Sequence, residues 1–396
     1  MPPDPGSLRS QPIADLVHHA RAVNIENPSS LRKPELVAAI LRESGSAAID
    51  GSGVLEILPD GFGFLRAPEY AFLPGADDIY VSPSQIRRFN LRTGDLVSGQ
   101  TRSPKENERY FALIKVEKVN GLDAESARDK ALFENLTPIW PQRRLRIGGA
   151  PLARLLDLHA PMGFGQRGLI LGPPRSGRTT VIRALAQAFA TQHNDATLMV
   201  VLLAERPEEV TEIQRNVRAV HLATTFDEPE ARHVQVADIA IDRAKRLVEL
   251  RRDVIVLVDS LTRLARAAHT VLPATGRQLA GGLDAAAVQR VRRVLGAARA
   301  AEEGGSLTVI GVLDADEGPS DASLLAELRG TANLEIRLLG NQIDPAGNFP
   351  SLCGARTGTL REELLRAPDE LARARAARAA AADSPWAALA ALDKSS

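Results

Sequence analysis

Near the N-terminus apolar residues recur at the helical period. Ile13, Leu16, Val17 and Ala20 stand at i, i+3, i+4 and i+7, and Leu36, Val37, Ile40 and Leu41 repeat the spacing after Pro34, which suits a helix's first turn. This predicts a small helical module over residues 1–46. The pattern then shortens: Val54 to Leu58, Ile79 to Val81 and Tyr110 to Val116 are brief apolar or alternating runs separated by Gly, Pro and Asp. They predict a compact β-barrel over 47–118. A linker over 119–150, with Pro138, Pro141, Gly148 and Gly149, leads into strand and helix in alternation from 151 to 365. Strands are expected at Gly168 to Leu171, Leu198 to Leu203, Val254 to Val258 and Leu307 to Val312, with a helix over Thr180 to Ala190, the signature of an α/β domain. Residues 366–396 read as an Ala- and Arg-rich tail, helical at first and then polar.

Composition narrows the class. In 396 residues, 44% hydrophobic and 25% charged describes a globular chain and excludes a collagen, a mucin or a wholly disordered protein. Forty-nine Lys plus Arg balance 49 Asp plus Glu, so any nucleic-acid binding must come from local patches. Cys353 is the single cysteine, which excludes an internal disulfide and a multi-thiolate zinc site. Met1 to Ala20 has no apolar run of signal-peptide length, and no 18-residue apolar stretch follows anywhere. The expectation is a soluble cytoplasmic protein with no membrane partner.

Aromatics make up only 4% of the chain, yet Phe62, Phe64, Tyr70, Phe72, Tyr80, Phe89, Tyr110 and Phe111 crowd into about fifty residues. Core packing of a small barrel accounts for some of them. Phe62-Gly63-Phe64 is different: rings at i and i+2 share a strand face, and the glycine leaves the backbone approachable, a layout that suits stacking bases. Arg66, Arg87, Arg88, Arg92, Arg102, Lys105 and Arg109 interleave with the rings. Such a series also fits a plain solvated face; the aromatics beside it favour single-stranded nucleic acid.

The α/β region carries a phosphate-loop pattern. Gly172-Pro173-Pro174-Arg175-Ser176-Gly177-Arg178-Thr179 follows the first strand, and Thr180 leads into the helix. Glycines let backbone N–H groups turn inward, the helix N-terminus favours anions, and the threonine hydroxyl suits Mg2+. Arg178 stands where GxxxxGK[ST] asks for lysine, and its planar fork is bulkier than an ammonium; a generic Gly/Pro turn is the alternative for the octet alone. Eighty residues on, Val254 to Val258 ends in Asp259, a carboxylate placed to hold Mg2+ through water. Glu205, after another apolar strand, can orient and deprotonate water, or serve only as a helix-start carboxylate. Together these features predict a P-loop NTPase using ATP and Mg2+.

Asp60-Gly-Phe-Gly-Phe-Leu-Arg66, the run from Asp78 to Gly94, Glu205-Arg-Pro-Glu-Glu-Val210, Thr225-Phe-Asp-Glu-Pro229 and Asp259-Ser-Leu-Thr-Arg-Leu-Ala-Arg266 resemble the transcription termination factor Rho family, over about residues 8 to 365. The resemblance implies a helical module, an OB-fold RNA site and a RecA-like motor working as a hexameric RNA-dependent ATPase and helicase. Its partners would be C-rich single-stranded RNA and RNA polymerase or its elongation complex, and the ring a homohexamer or a mixed ring with another Rho. Carried over by position, Phe62, Phe64, Arg66, Tyr80, Glu108, Arg109 and Tyr110 would form a cytidine-preferring RNA site, and Arg277 would belong to a pore loop. Thr179 and Asp259 would serve Mg2+ and Glu205 would be the catalytic base. Arg206 and Arg263 would be charged neighbours of the nucleotide, and Phe349 would stack on adenine.

Five places depart from the family pattern: Arg178; Leu360, where a trans arginine finger is expected; Gly347, where a second arginine is expected; the second pore loop; and the stretch after about 366, shorter and Ala/Arg-rich where the family has bulkier apolar helices. That loop, expected around Gly311 to Asp321, reads Asp314-Ala-Asp316-Glu317-Gly-Pro-Ser-Asp321, whose carboxylates would repel RNA in a ring. Two functions stand side by side. One is a working termination factor that translocates on RNA with ATP; the alternative is an RNA-binding paralogue with impaired ATPase that regulates or inhibits a true Rho hexamer. A rotary-type ring ATPase of the RecA-like class would leave the Phe62 to Tyr110 platform without a role.

Overall fold

A computed structural model describes residues 7–8, 11–43, 49–105, 108–315, 318–340, 348–380 and 384–394. Gly347, Asp316 and Glu317 lie outside the described residues. The chain forms two compact units, Met1–Ala131 and Leu132–Ser396. Among the described residues no helix is long and apolar enough to cross a membrane.

In the first unit, α1 (Ile13–Ala22) and α2 (Lys33–Glu43) form where the helical period runs. Leu36, Val37, Ile40 and Leu41 are all buried, and with Leu16 and Ala20 they share one core with the barrel residues Leu55, Leu65, Ile79, Val81, Phe89, Val97 and Phe111. Ile13, counted on the apolar stripe, is instead 53% exposed at the helix start. The barrel strands are β1 (Ile49–Ile57), β2 (Gly63–Arg66), β3 (Ile79–Val81), β4 (Leu96–Arg102) and β5 (Phe111–Val119), with the short β6 (Leu122–Asp123) after them. They pair in the order β3-β2-β1-β4-β5-β6, and a parallel β3–β5 pairing closes the barrel as in an OB-fold. Closure removes the free edges that an open sheet would expose.

In the second unit, β7 (Arg167–Gly172), β8 (Thr197–Glu205), β9 (Val220–Thr225), β10 (Asp253–Asp259), β11 (Ser306–Asp314), β12 (Leu334–Arg337) and β13 (Gly358–Thr359) form a sheet in the order β9-β8-β10-β11-β7-β12-β13. Along this path all neighbours are parallel except the β12–β13 pair, and off it Arg299–Ala301 pairs antiparallel with β11 and with Pro138–Ile139. Parallel strands covered on both faces read as unbroken apolar runs, and every residue of β11 is buried. The helices α3 (Arg178–Gln192), α4 (Pro207–Asn216) and α5 (Leu261–Val271) each leave from the carboxyl end of a strand. This is a RecA-like α/β domain, and ligands of such sheets bind at the carboxyl edge.

Two expectations need correction. Residues 311–314 are not pore loop but the end of β11, because the run Ser306 to Leu313 is too apolar to leave the sheet; α6 (Pro319–Arg329) follows at once. The C-terminal stretch is more than a tail. It folds as α7 (Pro368–Ala380) and α8 (Pro385–Lys394), whose Ala374, Ala388 and Leu389 join the motor core. Trp386 Nε1 donates to the Pro350 carbonyl at 3.2 Å, tying α8 to the segment that carries Phe349.

Candidate RNA platform and nucleotide site

On the barrel, the β2–β3 register sets Phe64 beside Tyr80, and Phe62 immediately precedes β2. The rings form a chain: Phe62 to Phe64 at 5.8 Å, Phe62 to Tyr80 at 5.7 Å, Phe64 to Tyr80 at 6.1 Å and Phe64 to Tyr110 at 4.8 Å between centroids. All four rings are half-buried, so each is held by neighbours while part of it faces solvent. Gly63 is required at its place: a Cβ there would meet the Glu56 carbonyl at 2.7 Å and Leu55 at 2.7 Å.

Next to the rings, a cavity of about 540 Å3 is bounded by Tyr80, Ser82, Arg102, Glu108, Arg109 and Tyr110 among others. Glu108 is exposed and takes a two-pronged bond from Arg102, at 2.5 and 2.8 Å. That bond, helped by the Lys105 N–H, holds the Glu108 carboxyl down to about 2. Arg109 is exposed, 5.5 Å from the Tyr110 ring, and its carbonyl accepts from Arg42 of α2 at 2.6 Å. Arg66 sits deeper than Glu108 and Arg109. Its guanidinium is buried, bonded to Glu56 at 2.9 Å and to Asp78, and lies 4.9 Å from the centre of the Phe64 ring. A cation with two carboxylates in contact is stable inside the barrel where a lone one would not be. Arg66 therefore braces Phe64 from within.

In the second unit, the carboxyl edge of the sheet sets its chemistry in a row. β8 ends in Glu205, β10 in Asp259, β11 in Asp314 and β7 in Gly172, and these strands are adjacent in that order. The phosphate loop leaves Gly172 and enters α3 through Gly177, whose φ of +90° favours glycine. A Cβ on Gly177 would sit 2.7 Å from Pro350 and 3.0 Å from the Phe349 ring, so Phe349 flanks the loop. Pro173 and Thr180 are half-buried, Pro174 and Arg175 exposed, and Ser176 is buried with its Oγ unpartnered among the described residues. Thr179 Oγ1 donates to Asp259 Oδ2 at 3.3 Å. Burial, and then the charge of Glu205, pushes the Asp259 carboxyl up to about 6 against the pull of Arg263 and Arg178.

Glu205 is buried; Arg263 Nη1 donates to its Oε2 at 2.6 Å and the Arg206 N–H to its Oε1 at 3.0 Å. Arg263 also donates to the Leu203 carbonyl at 3.1 Å, so one guanidinium fixes the strand end and the carboxylate together. The Arg206 side chain is exposed at the start of α4. Arg277 is exposed on a segment closed by Thr275 bonds to Asp284. Leu360 is 60% exposed just past β13, an apolar side chain in solvent.

Two of the four carboxylates expected in the second pore loop lie among the described residues. Asp314 and Asp321 are both buried, Asp314 against Arg178 and Asp321 against Arg266 at 3.1 Å. Carboxylates neutralised inside the domain do not project charge into a channel. The role of Asp314 was legible: an apolar strand closed by a carboxylate describes β11 as well as it describes β10.

Family models match in three places: "Rho termination factor, N-terminal domain" over residues 7–45, "Rho termination factor, RNA-binding domain" over 51–125, and "ATP synthase alpha/beta family, nucleotide-binding domain" over 153–352. Transcription termination factor Rho of Buchnera aphidicola subsp. Schizaphis graminum is 52% identical over 374 residues, covering 92% of this chain and 89% of that one. The chain belongs to the Rho transcription termination factor family. Rho of Escherichia coli K12 is 51% identical over 373 residues, with the same coverages of 92% and 89%. Among solved structures, a prototypical ATPase from the type III secretion system of pathogenic bacteria aligns with a TM-score of 0.53 at 22% identity, covering 61% of this chain and 69% of that one. The EscN ATPase of enteropathogenic E. coli aligns at 0.51 and 20% identity, covering 62% and 59%. Those two likenesses describe the fold of the motor; the Rho-family barrel is what a rotary subunit would leave unexplained.

Proposed function

We propose that this Rho-family chain is an ATP-driven RNA translocase, which loads on C-rich nascent RNA through its barrel and releases transcripts from RNA polymerase. Its working form is a hexameric ring, of copies of itself or mixed with another Rho subunit, in the cytoplasm. The observation that carries the reading is the carboxyl edge that brings Thr179, Asp259, Glu205 and Arg263 together in a chain whose barrel displays four half-exposed rings. Bases stack on Phe62, Phe64, Tyr80 and Tyr110, with Glu108 and Arg109 at the adjoining cavity, and Arg277 meets RNA in the channel.

The residues fit a nucleotide and its metal. The loop from Gly172 to Thr179 takes phosphate, Phe349 beside Gly177 stacks on adenine, and the Thr179 hydroxyl with the Asp259 carboxylate would hold Mg2+, which keeps most of its water shell and needs few protein ligands. Bound there, Mg2+ supplies neutralisation of phosphate charge. Glu205 orients the attacking water and takes its proton, its two described bonds leaving acceptor sites free on the carboxylate. Arg206 and Arg263 balance negative charge beside the nucleotide. Steady-state ATP hydrolysis with and without poly-C RNA tests the reading. RNA-stimulated turnover that falls by about 10² to 10⁴ in Glu205→Gln is the expected result. Turnover no higher than that variant, with RNA still bound, would favour the second reading, an RNA-binding family member with a slowed motor.

A further inference from the structure

Asp314 occupies a place in the nucleotide site that none of the roles above uses. It closes β11 in register with Gly172, the last residue before the phosphate loop. Its N–H donates to Thr262 Oγ1 at 2.8 Å, which fixes the strand end, and its side chain is 12% exposed. The carboxylate pairs with Arg178 through Nη1, and that nitrogen also donates to the Gly172 carbonyl at 2.9 Å. Arg266 Nη2 approaches the other carboxylate oxygen at 3.9 Å and binds Asp321 at 3.1 Å, so Arg178 is the nearer cation.

We infer that Asp314 is a positioning residue that neutralises the phosphate-loop cation Arg178, so that the affinity of this chain for a nucleoside triphosphate is set by competition between Asp314 and the phosphates. The inference rests on reading Gly172 to Thr179 as the phosphate cradle. A loop cation contributes by being an uncompensated positive charge where the β- and γ-phosphates lie; an Asp in contact with it removes most of that charge at phosphate distance. Arginine is suited to this arrangement and lysine is not. The guanidinium has five donors in a fixed fork, and the two described bonds both leave from Nη1, so Nη2 and Nε retain donors for phosphate oxygens. Arg178 and Asp314 then count as one coupled feature, with the arginine's second limb offsetting in part what the carboxylate takes away.

The test is equilibrium binding of ATP, ADP and AMP to the full-length protein, read by displacement of a fluorescent ATP analogue. Asp314→Asn keeps the shape and removes the charge, and is expected to tighten ATP at least tenfold, ADP less and AMP hardly at all. Asp314→Glu keeps the charge and should stay within about threefold of the parent for ATP, taking one side-chain contact as worth under a kcal/mol. A purely structural role would weaken all three nucleotides together. ATP affinity unchanged or weakened in a folded Asp314→Asn protein overturns the inference. Should that variant fail to fold, Arg178→Gln decides: with Asp314 left uncompensated, ATP should be lost by a larger factor than AMP, and equal losses overturn the inference. Gly177→Val separates the two readings, because a side chain there meets Pro350 and the Phe349 ring at a φ of +90° and forces the loop out of shape. If it leaves ATP binding intact, the cradle assignment itself is wrong; if it abolishes binding, the Asp314 result stands on its own.

Discussion

Both functional surfaces of this chain contain an aspartate in contact with an arginine, and the pairs do opposite things. In the barrel, Asp78 and Glu56 hold Arg66 beneath the Phe64 ring, below the surface that bases would touch. In the motor, Asp314 holds Arg178 at the mouth of the phosphate loop, within the surface that the triphosphate would touch. A ligand that binds by ring stacking does not compete for the arginine, so there the ion pair is scaffolding. A ligand that is itself a polyanion does compete, so there the same pair opposes binding. The position of a pair relative to the ligand's charge, not its geometry, decides its function.

The largest break in that contrast comes from the rings. Phe62→Ala with Phe64→Ala should cost about 2–6 kcal/mol of oligo-C affinity, a loss of roughly 30-fold to 10⁴-fold at about 1–3 kcal/mol per stacked base, while ATP affinity at the motor stays unchanged. Fluorescence anisotropy with labelled oligo-C reads the first and nucleotide displacement the second; RNA affinity that survives the double substitution would remove the platform from the barrel.

A smaller effect sharpens the comparison by making one chemical change on both surfaces. Asp314→Asn is expected to improve a ligand's binding, whereas Asp78→Asn should destabilise the barrel by about 1–3 kcal/mol, because an amide replaces the carboxyl oxygen that accepts from both Arg66 and the Gly75 N–H in a buried place. Hydrogen exchange in strands β1 to β5 measures it. The cost depends on pH with a defined sign. Burial pushes the Asp78 carboxyl up from 3.8 to about 6, against Arg66 and the Gly75 N–H. Between those values the folded barrel keeps a proton that the unfolded chain has released, so stability from this group is greatest below pH 4 and declines as pH rises to about 6. Asp78→Asn lacks that decline, and the gap between parent and variant should narrow across the window; a gap that widens would show that Asp78 is ionised throughout.

Much of this was legible in the sequence, and the failures have a common cause. Apolar periods locate α1, α2, β3 and the strands of the motor sheet because burial itself imposes the period. The edge carboxylates Glu205 and Asp259 are legible because each ends such a run. The Arg66–Asp78 contact was not legible because Asp78 is twelve residues away, just before another strand, and no local pattern shows that a charge will be neutralised by a distant one. Asp314 was misplaced because a loop inferred from resemblance overrode an apolar run that pointed to a strand. Phe349 meets Gly177 only through the tertiary fold, and resemblance alone placed it at the nucleotide.

The smallest expected effect probes a third ion pair, one exposed at the ligand surface of the barrel. Glu108 and Arg102 are joined by two bonds, and the carboxyl, held down to about 2, is ionised throughout the neutral range. Its contribution is present above its ordinary value of 4.5 and is lost only as pH falls toward 2, so RNA binding should carry no titration from Glu108 between pH 5 and pH 8. An exposed pair adds little to stability, and Glu108→Gln should leave the melting temperature where it is. Two binding readouts should move. Freeing Arg102 for a phosphate should steepen the dependence of log affinity on log salt by about 0.7, the increment for one further contact on a single strand. A carboxylate that accepts from the cytosine amine and repels the uracil carbonyl would be gone, so preference for C over U should shrink, by roughly tenfold at most. An unchanged salt slope with unchanged base preference would make the Arg102–Glu108 pair scaffolding like Arg66–Asp78, and would confine the competition between an ion pair and its ligand to the nucleotide site.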